Sequence, residues 1–346
     1  MLFTLRTMRQ ASFHELVGDL TRAGFPVAEL VGAGRVACIP AAGRVIALSF
    51  PASAGNVLWV NPDLIHLGEP GFDALELRGG PGGDRLWFGR ELDYFWSGKP
   101  KWDTFANYTV PSELDPGRYG VSYSDAALVM RSDVHLTATD GSDIAFGVER
   151  AIELIDEPPA AVGPAEFVGI STTHSVQVSQ PGLGADLWHL LQLPAGTTFV
   201  VPVLADAELL AYTPTTGAWA QREGRVSWKT RGDEVAKVGI SASAVTGRLG
   251  ALVDLGGERA RLFVRDIEVH RSGVYVDHPF GAKRNDQVVQ LFSGFGFCEL
   301  EHRGREFGGG GPAQVSESDR LWVFEGPRAA IDRIGAHLLE VEITDL

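Results

Sequence analysis

Two glutamates two positions apart, with a histidine directly after, stand in the run SGFGFCELEHRG at Glu299, Glu301 and His302. Residues two apart on a strand share a face, so Glu299 and Glu301 would point the same way with like charges side by side. Two carboxyls that are close and partly shielded from water hold at least one proton to higher pH. Such a pair supplies a general base for proton transfer near neutrality, and either glutamate fits the role. The alternative is a wet strand face with one glutamate paired to Arg303 or Arg305.

Three further groups have the residue types that chemistry needs. In GISTTHSVQVS, His174 shares a strand face with Thr172 and Val176; its side chain moves a proton near neutral pH, which makes it a candidate acid. In GGPGGDRLWFGRE, glycines lead into a short strand with Asp84, Arg85 and Trp87. That is a plausible sugar-site rim, with Arg for hydroxyl or carboxylate contacts and Trp to stack on a ring. In EVHRSGVYVDHPFGAKRND, His270, Asp277, His278, Lys283 and Arg284 gather, but at no spacing a specific metal site uses; no metal and no cofactor are expected. No nucleophile elbow, phosphate loop, dinucleotide fingerprint or HExxH motif is present.

These residues sit in short β-rich runs separated by Gly, Pro and Asn. One helix opens the chain, with Ser12 and Glu15 spaced as a capping box and Phe13, Leu16, Val17 and Leu20 at helical intervals. From VAELV onward the period is two, through GRVIALSF, NVLWV, IAFGVERAIELID, DLWHLLQLP, VAKVGIS, GVYVDH, QVVQLFSGFGFCELEHR and DRLWVFEG. GPRAAIDRIGAHLLE predicts a second helix with Pro327 near its first turn. Well over a dozen strands with few helices give an all-β chain of two packed sheets or a closed barrel. The longest irregular stretch, about Asp93 to Ser124, is rich in aromatic residues including Trp96 and Trp102, and loops of that length are often functional. No linker divides the 346 residues, so a single domain over 1–346 is expected, its first 50 residues being the helix and the strands that pack on it.

The formal net charge of −14 lacks the basic footprint of a nucleic-acid binder and disfavours an anionic membrane surface. No run is long enough to span a bilayer, and the first 20 residues show no apolar core followed by a cleavage site, so a cytoplasmic location is expected. Cys38 and Cys298 lie in apolar contexts and read as buried free thiols.

Taken together, these pieces resemble the galactose mutarotase-like (aldose 1-epimerase-like) superfamily. STTHSV resembles the strand that carries that family's catalytic histidine, GFCELEH its late glutamate strand, and GGDRLWFGRE its arginine strand near the sugar. The resemblance implies a β-supersandwich of two large antiparallel sheets with one or two short peripheral helices. It implies His174 as acid, Glu301 as base with Glu299 as the other possible base, and Arg85 orienting a sugar. Asp84, Trp87, Trp96, Trp102 and His278 are the further expected substrate contacts. The expected partner is a small-molecule or oligomeric carbohydrate. The family's His-Gly-Gly segment has no counterpart here, so a non-catalytic carbohydrate-binding protein and a poly- or oligosaccharide lyase stand beside the epimerase reading.

Overall fold

The computed structural model describes residues 12–69, 77, 79–204, 207–214, 217–222, 224–282 and 284–343. Lys283 of the fourth group lies outside them.

Among the described residues there are three α-helices: α1 (Phe13–Arg22), α2 (Glu91–Tyr94) and α3 (Arg328–Leu339). The strands are β1 (Ala28–Gly32), β2 (Gly34–Ile39), β3 (Arg44–Ser49), β4 (Asp84–Gly89), β5 (Gly120–Ser124), β6 (Ala127–Thr137) and β7 (Asp143–Leu154). They continue as β8 (Glu166–Gln180), β9 (Asp186–Pro194), β10 (Thr198–Pro202), β11 (Leu209–Ala211), β12 (Trp219–Arg222) and β13 (Arg225–Lys229). The last are β14 (Ala236–Ser241), β15 (Arg248–Gly256), β16 (Arg259–Ile267), β17 (Gln287–Gly294), β18 (Phe297–Arg303) and β19 (Gln314–Pro327).

They form two sheets. Nine strands run in the order β1-β2-β3-β4-β9-β18-β17-β14-β11, and ten in the order β12-β13-β10-β15-β16-β19-β8-β7-β6-β5. Neighbours are antiparallel, as in the pairings of β18 with β9 and of β19 with β8. This is the two-sheet supersandwich that the resemblance implies. One apolar core joins the facing sides of the sheets, with Leu191 and Leu300 from one and Ile170 and Leu321 from the other. The helices cover outer faces. Helix α1 starts at a complete capping box of Ser12 and Glu15 and lays Phe13, Leu16 and Leu20 on Ala37, Ile39 and Ile46. Helix α3 lays Ile331, Ile334 and Leu338 on Leu252, Leu262 and Phe324 of the ten-stranded sheet.

Three strand expectations change. NVLWV forms only an isolated bridge at Val60, because the Asn56 side chain takes the backbone donors of Leu48 and Leu58 at 3.0 and 3.1 Å. GVYVDH joins no ladder; it crosses beside the nine-stranded sheet and commits buried Asp277 to it, as described below. The run from Gln287 to Arg303 breaks into β17 and β18 at Phe295, whose φ of 57° makes the hairpin turn.

Candidate functional site

Alternation along the middle strands of the nine-stranded sheet sorts their side chains into two compartments. Arg85 and Trp87 of β4, Trp188 and Leu190 of β9, Lys237 of β14, Phe292 of β17, and Glu299 and Glu301 of β18 all line one cavity of about 430 Å³. Asp84, His189, Leu300 and His302, each adjacent in sequence to one of these, face the other way, into the space between the sheets.

The cavity floor is ionic. Arg85 bonds Glu299 Oε1 at 2.8 Å and the carbonyl of Gly79 at 3.0 Å, with its guanidinium 3.9 Å from the Trp87 ring. Lys237 Nζ stands 2.8 Å from Glu91 Oε2 and 3.2 Å from Glu301 Oε2. Trp188 Nε1 donates to that same Glu301 oxygen at 2.6 Å. Glu301 Oε1 is buried and has no hydrogen-bond partner among the described residues. Behind this row, Arg303 spans Asp186 and Asp277 at 3.0 Å each, and Asp277 accepts the backbone N–H of Glu91 at 2.9 Å.

These groups are almost dry: Glu299 is 6%, Glu301 1% and Lys237 2% exposed. Burial pushes the Glu301 carboxyl above its ordinary range, against the pull of Lys237 and with the push of Glu299. Burial likewise raises Glu299, offset in part by Arg85 and Lys237. It raises Glu91 too, again against Lys237. Burial alone would lift Asp277, but Arg303 and Lys237 hold it below the usual carboxylate range. Burial would lower Lys237, yet Glu301 and Glu91 keep it above its ordinary value. The floor therefore sets three glutamates against two cations, and one cation is shared between two of the glutamates. Ionising all three leaves a net negative charge with little water to screen it, which is why these carboxyls hold a proton to higher pH than exposed ones.

The roof is aromatic and comes from the loop between α2 and β5. Trp96 is fully buried and packs on Trp102 and Tyr108 at centroid distances of 4.8 and 4.7 Å. This brings Trp102, Phe105 and Tyr108 over the cavity. Phe105 meets Phe295, from the β17–β18 turn, edge-on at 5.1 Å. Both have left-handed backbones, φ 55° and 57°, an uncommon state for a bulky side chain.

A second polar cluster lies between the sheets. His174 Nε2 is 3.3 Å from Asp319 Oδ2, and His189 Nδ1 is 3.8 Å from the same oxygen. The rings of His189 and His302 stack at 4.0 Å. Asp84 accepts from both Arg150 and Arg265. Burial lowers the pKa of all three histidines, so they are neutral and Asp319 is ionised. His174, His189 and Asp319 are close enough to hold a cation among the described residues. Yet two arginines already balance the two aspartates, and a divalent ion would bring uncompensated charge into a dry interior.

The expected site residues thus divide. Glu299, Glu301, Arg85, Trp87 and Trp102 meet in one cavity. His174 does not join them, because its strand belongs to the ten-stranded sheet and its ring points into the intersheet space. Asp84 is one residue out of phase with Arg85 and serves the intersheet cluster. Trp96 supports the roof from behind. His278 lies outside the cavity lining, its Nδ1 3.0 Å from the Pro279 carbonyl. Sequence reasoning missed Lys237, Glu91 and Trp188. Lys237 left a signal: a lone lysine in the apolar run VAKVGIS needs a buried partner. Cys38 and Cys298 are free and buried, and burial raises both thiols to about 12.

A family model matches residues 26–177. Its description is a family of unknown function (DUF6786). No curated protein matches the chain. Among solved structures, the galactose 1-epimerase from Lactobacillus acidophilus NCFM is similar at 7% identity and a TM-score of 0.42, covering 87% of this chain and 94% of that one. A structure titled HI1317 gives 11% identity and 0.42, over 86% of this chain and 92% of the other. The 4-alpha-glucanotransferase from Thermococcus litoralis gives 11% and 0.36 over 87% of this chain, which spans only 37% of that enzyme. At these values nothing about this chain's chemistry follows from those titles.

Proposed function

We propose that the cavity takes a sugar and moves protons on it, with Glu299 as base and Glu301 as acid, in an aldose 1-epimerase-like reaction. The supporting observation is the floor of three glutamates and two cations beneath aromatic walls. Arg85 serves Glu299 alone, which favours the ionised carboxylate there. Lys237 is divided between Glu91 and Glu301, which leaves the proton on Glu301, at the Oε1 that no donor among the described residues meets. Trp102, Phe105 and Phe295 of the roof offer an aromatic surface to the C–H side of a pyranose ring.

In the reaction, Glu299 takes the proton of the anomeric hydroxyl as the C1–O5 bond breaks and C1=O forms. Glu301 gives its proton to the ring oxygen O5. Rotation about C1–C2 presents the other carbonyl face, O5 adds back, and both protons return. The acid role expected of His174 thereby passes to a carboxyl on the sheet face that carries the base.

An elimination reaction is less well served. It needs a cation to neutralise the substrate's carboxylate, and both Arg85 and Lys237 are already engaged by glutamates.

Proton NMR of freshly dissolved α-glucose and α-galactose tests the reading. The β-anomer signal is expected to grow faster with protein than without. Rates that are the same with and without protein, for both sugars, would remove free-hexose epimerisation.

A further inference from the structure

A second cavity, of about 660 Å³, adjoins the first. Trp102 and Phe295 line both cavities. The outer one has an apolar base of Pro100, Val235 and those two rings, and a charged rim that includes Lys101 and Asp233. That combination is what a sugar ring asks of a protein: a hydrophobic surface for its C–H face and polar groups for its hydroxyls. The inner cavity, at about 430 Å³, is the smaller of the two and holds every one of the buried carboxyls described above that line a cavity.

Resting on the sugar reading of the inner cavity, we propose that the substrate is larger than one sugar. Its reducing unit lies on the glutamate floor, and the next unit crosses the Trp102–Phe295 rim into the outer cavity. The contact between Phe105 and Phe295 fits this placement. It fixes the ring of Phe295 where the two cavities meet, so that a linked pair of rings packs against it from both sides.

The test compares glucose and galactose with lactose, maltose and cellobiose by titration calorimetry on the full chain. At least one disaccharide is expected to bind about tenfold or more tighter than either monosaccharide, the gain of an added ring on an aromatic surface. Asp233→Trp, which fills the outer cavity from its rim, is expected to bring the disaccharide-to-monosaccharide affinity ratio toward one. Lys101→Trp, at another point of that rim, is expected to do the same. Among the described residues Asp233 pairs only with exposed Arg231, at 2.9 Å, so its replacement costs little stability. If disaccharides bind no tighter than monosaccharides, or keep their advantage in both variants, the two-unit substrate is wrong. If monosaccharides still show faster anomer exchange, the inner-site reading survives that result. If no saccharide binds and none exchanges faster, both fall together.

Discussion

Glu301 and His174 lie on opposite sides of the nine-stranded sheet. Glu301 takes the indole N–H of Trp188 on the cavity side at 2.6 Å. Its neighbour His302 turns to the other side and stacks on His189, whose ring is 4.3 Å from that of His174. One strand, β18, therefore serves two separate polar systems, one ionic and lining the cavity, the other a neutral-histidine seam that joins the sheets.

Removing the shared cation should unsettle the floor. Lys237→Met leaves Glu91 and Glu301 without their ammonium, and the loss of one partner from a buried pair costs about 3–5 kcal/mol. Adding Glu91→Gln to that variant is expected to restore part of the loss, with a coupling of about 0.5–3 kcal/mol. Urea denaturation of the two single variants and the double variant measures it. Additive effects would mean that Lys237 and Glu91 do not act as a pair.

The intersheet histidine should matter for stability and not for chemistry. In His174→Asn, Asp319 keeps Arg265 at 3.6 Å and His189 at 3.8 Å but loses its nearer imidazole partner. A drop of about 1–3 kcal/mol is expected, read by thermal unfolding. An unchanged melting temperature would show that the seam is indifferent to the residue.

Glu317 gives the protein a pH-dependent stability term. Burial raises its carboxyl to about 7 from an ordinary 4.5, against the backbone N–H and the guanidinium of Arg305. Between those two values the folded chain holds a proton that the unfolded chain has released. The stabilisation is complete below about 4.5 and is lost as pH rises through about 7. Glu317→Gln removes that titration. From pH 4.5 to pH 8, the stability of the natural protein relative to the variant should therefore fall by on the order of 3 kcal/mol. Parallel stability–pH curves for the two proteins would contradict the assignment.

Both thiols should be silent in the native state. Cys38 and Cys298 are fully buried and their pKa values are pushed to about 12, so neither forms thiolate near neutral pH. A chromogenic disulfide reagent is expected to find no reactive thiol in native protein and both in denaturant. Rapid native labelling of either would contradict the packing.

Local signals in the sequence were the readable ones. The capping box at Ser12 and Glu15, the alternation that aligns Glu299 with Glu301, and the apolar settings of both cysteines depend on neighbours in the chain, and the structure shows each of them. Partnership between distant strands was not readable. His174 and Glu301 each sit on a well-formed strand, but the sheet that a strand joins depends on packing across the whole chain. The same phase rule that aligned the two glutamates does separate Asp84 from Arg85. Asp277 arrives from a segment with no ladder of its own, so strand patterning gave no hint of its place beside Glu91 and Arg303.

The most direct measurement of the central claim is the anomer-exchange rate of four proteins side by side: the natural chain, Glu299→Gln, Glu301→Gln and His174→Asn. With both proton-transfer groups on one sheet face, each glutamine variant should lose about 10²-fold or more of the acceleration, while His174→Asn keeps it. Acceleration that survives both glutamine variants, or that vanishes only in His174→Asn, would contradict the account.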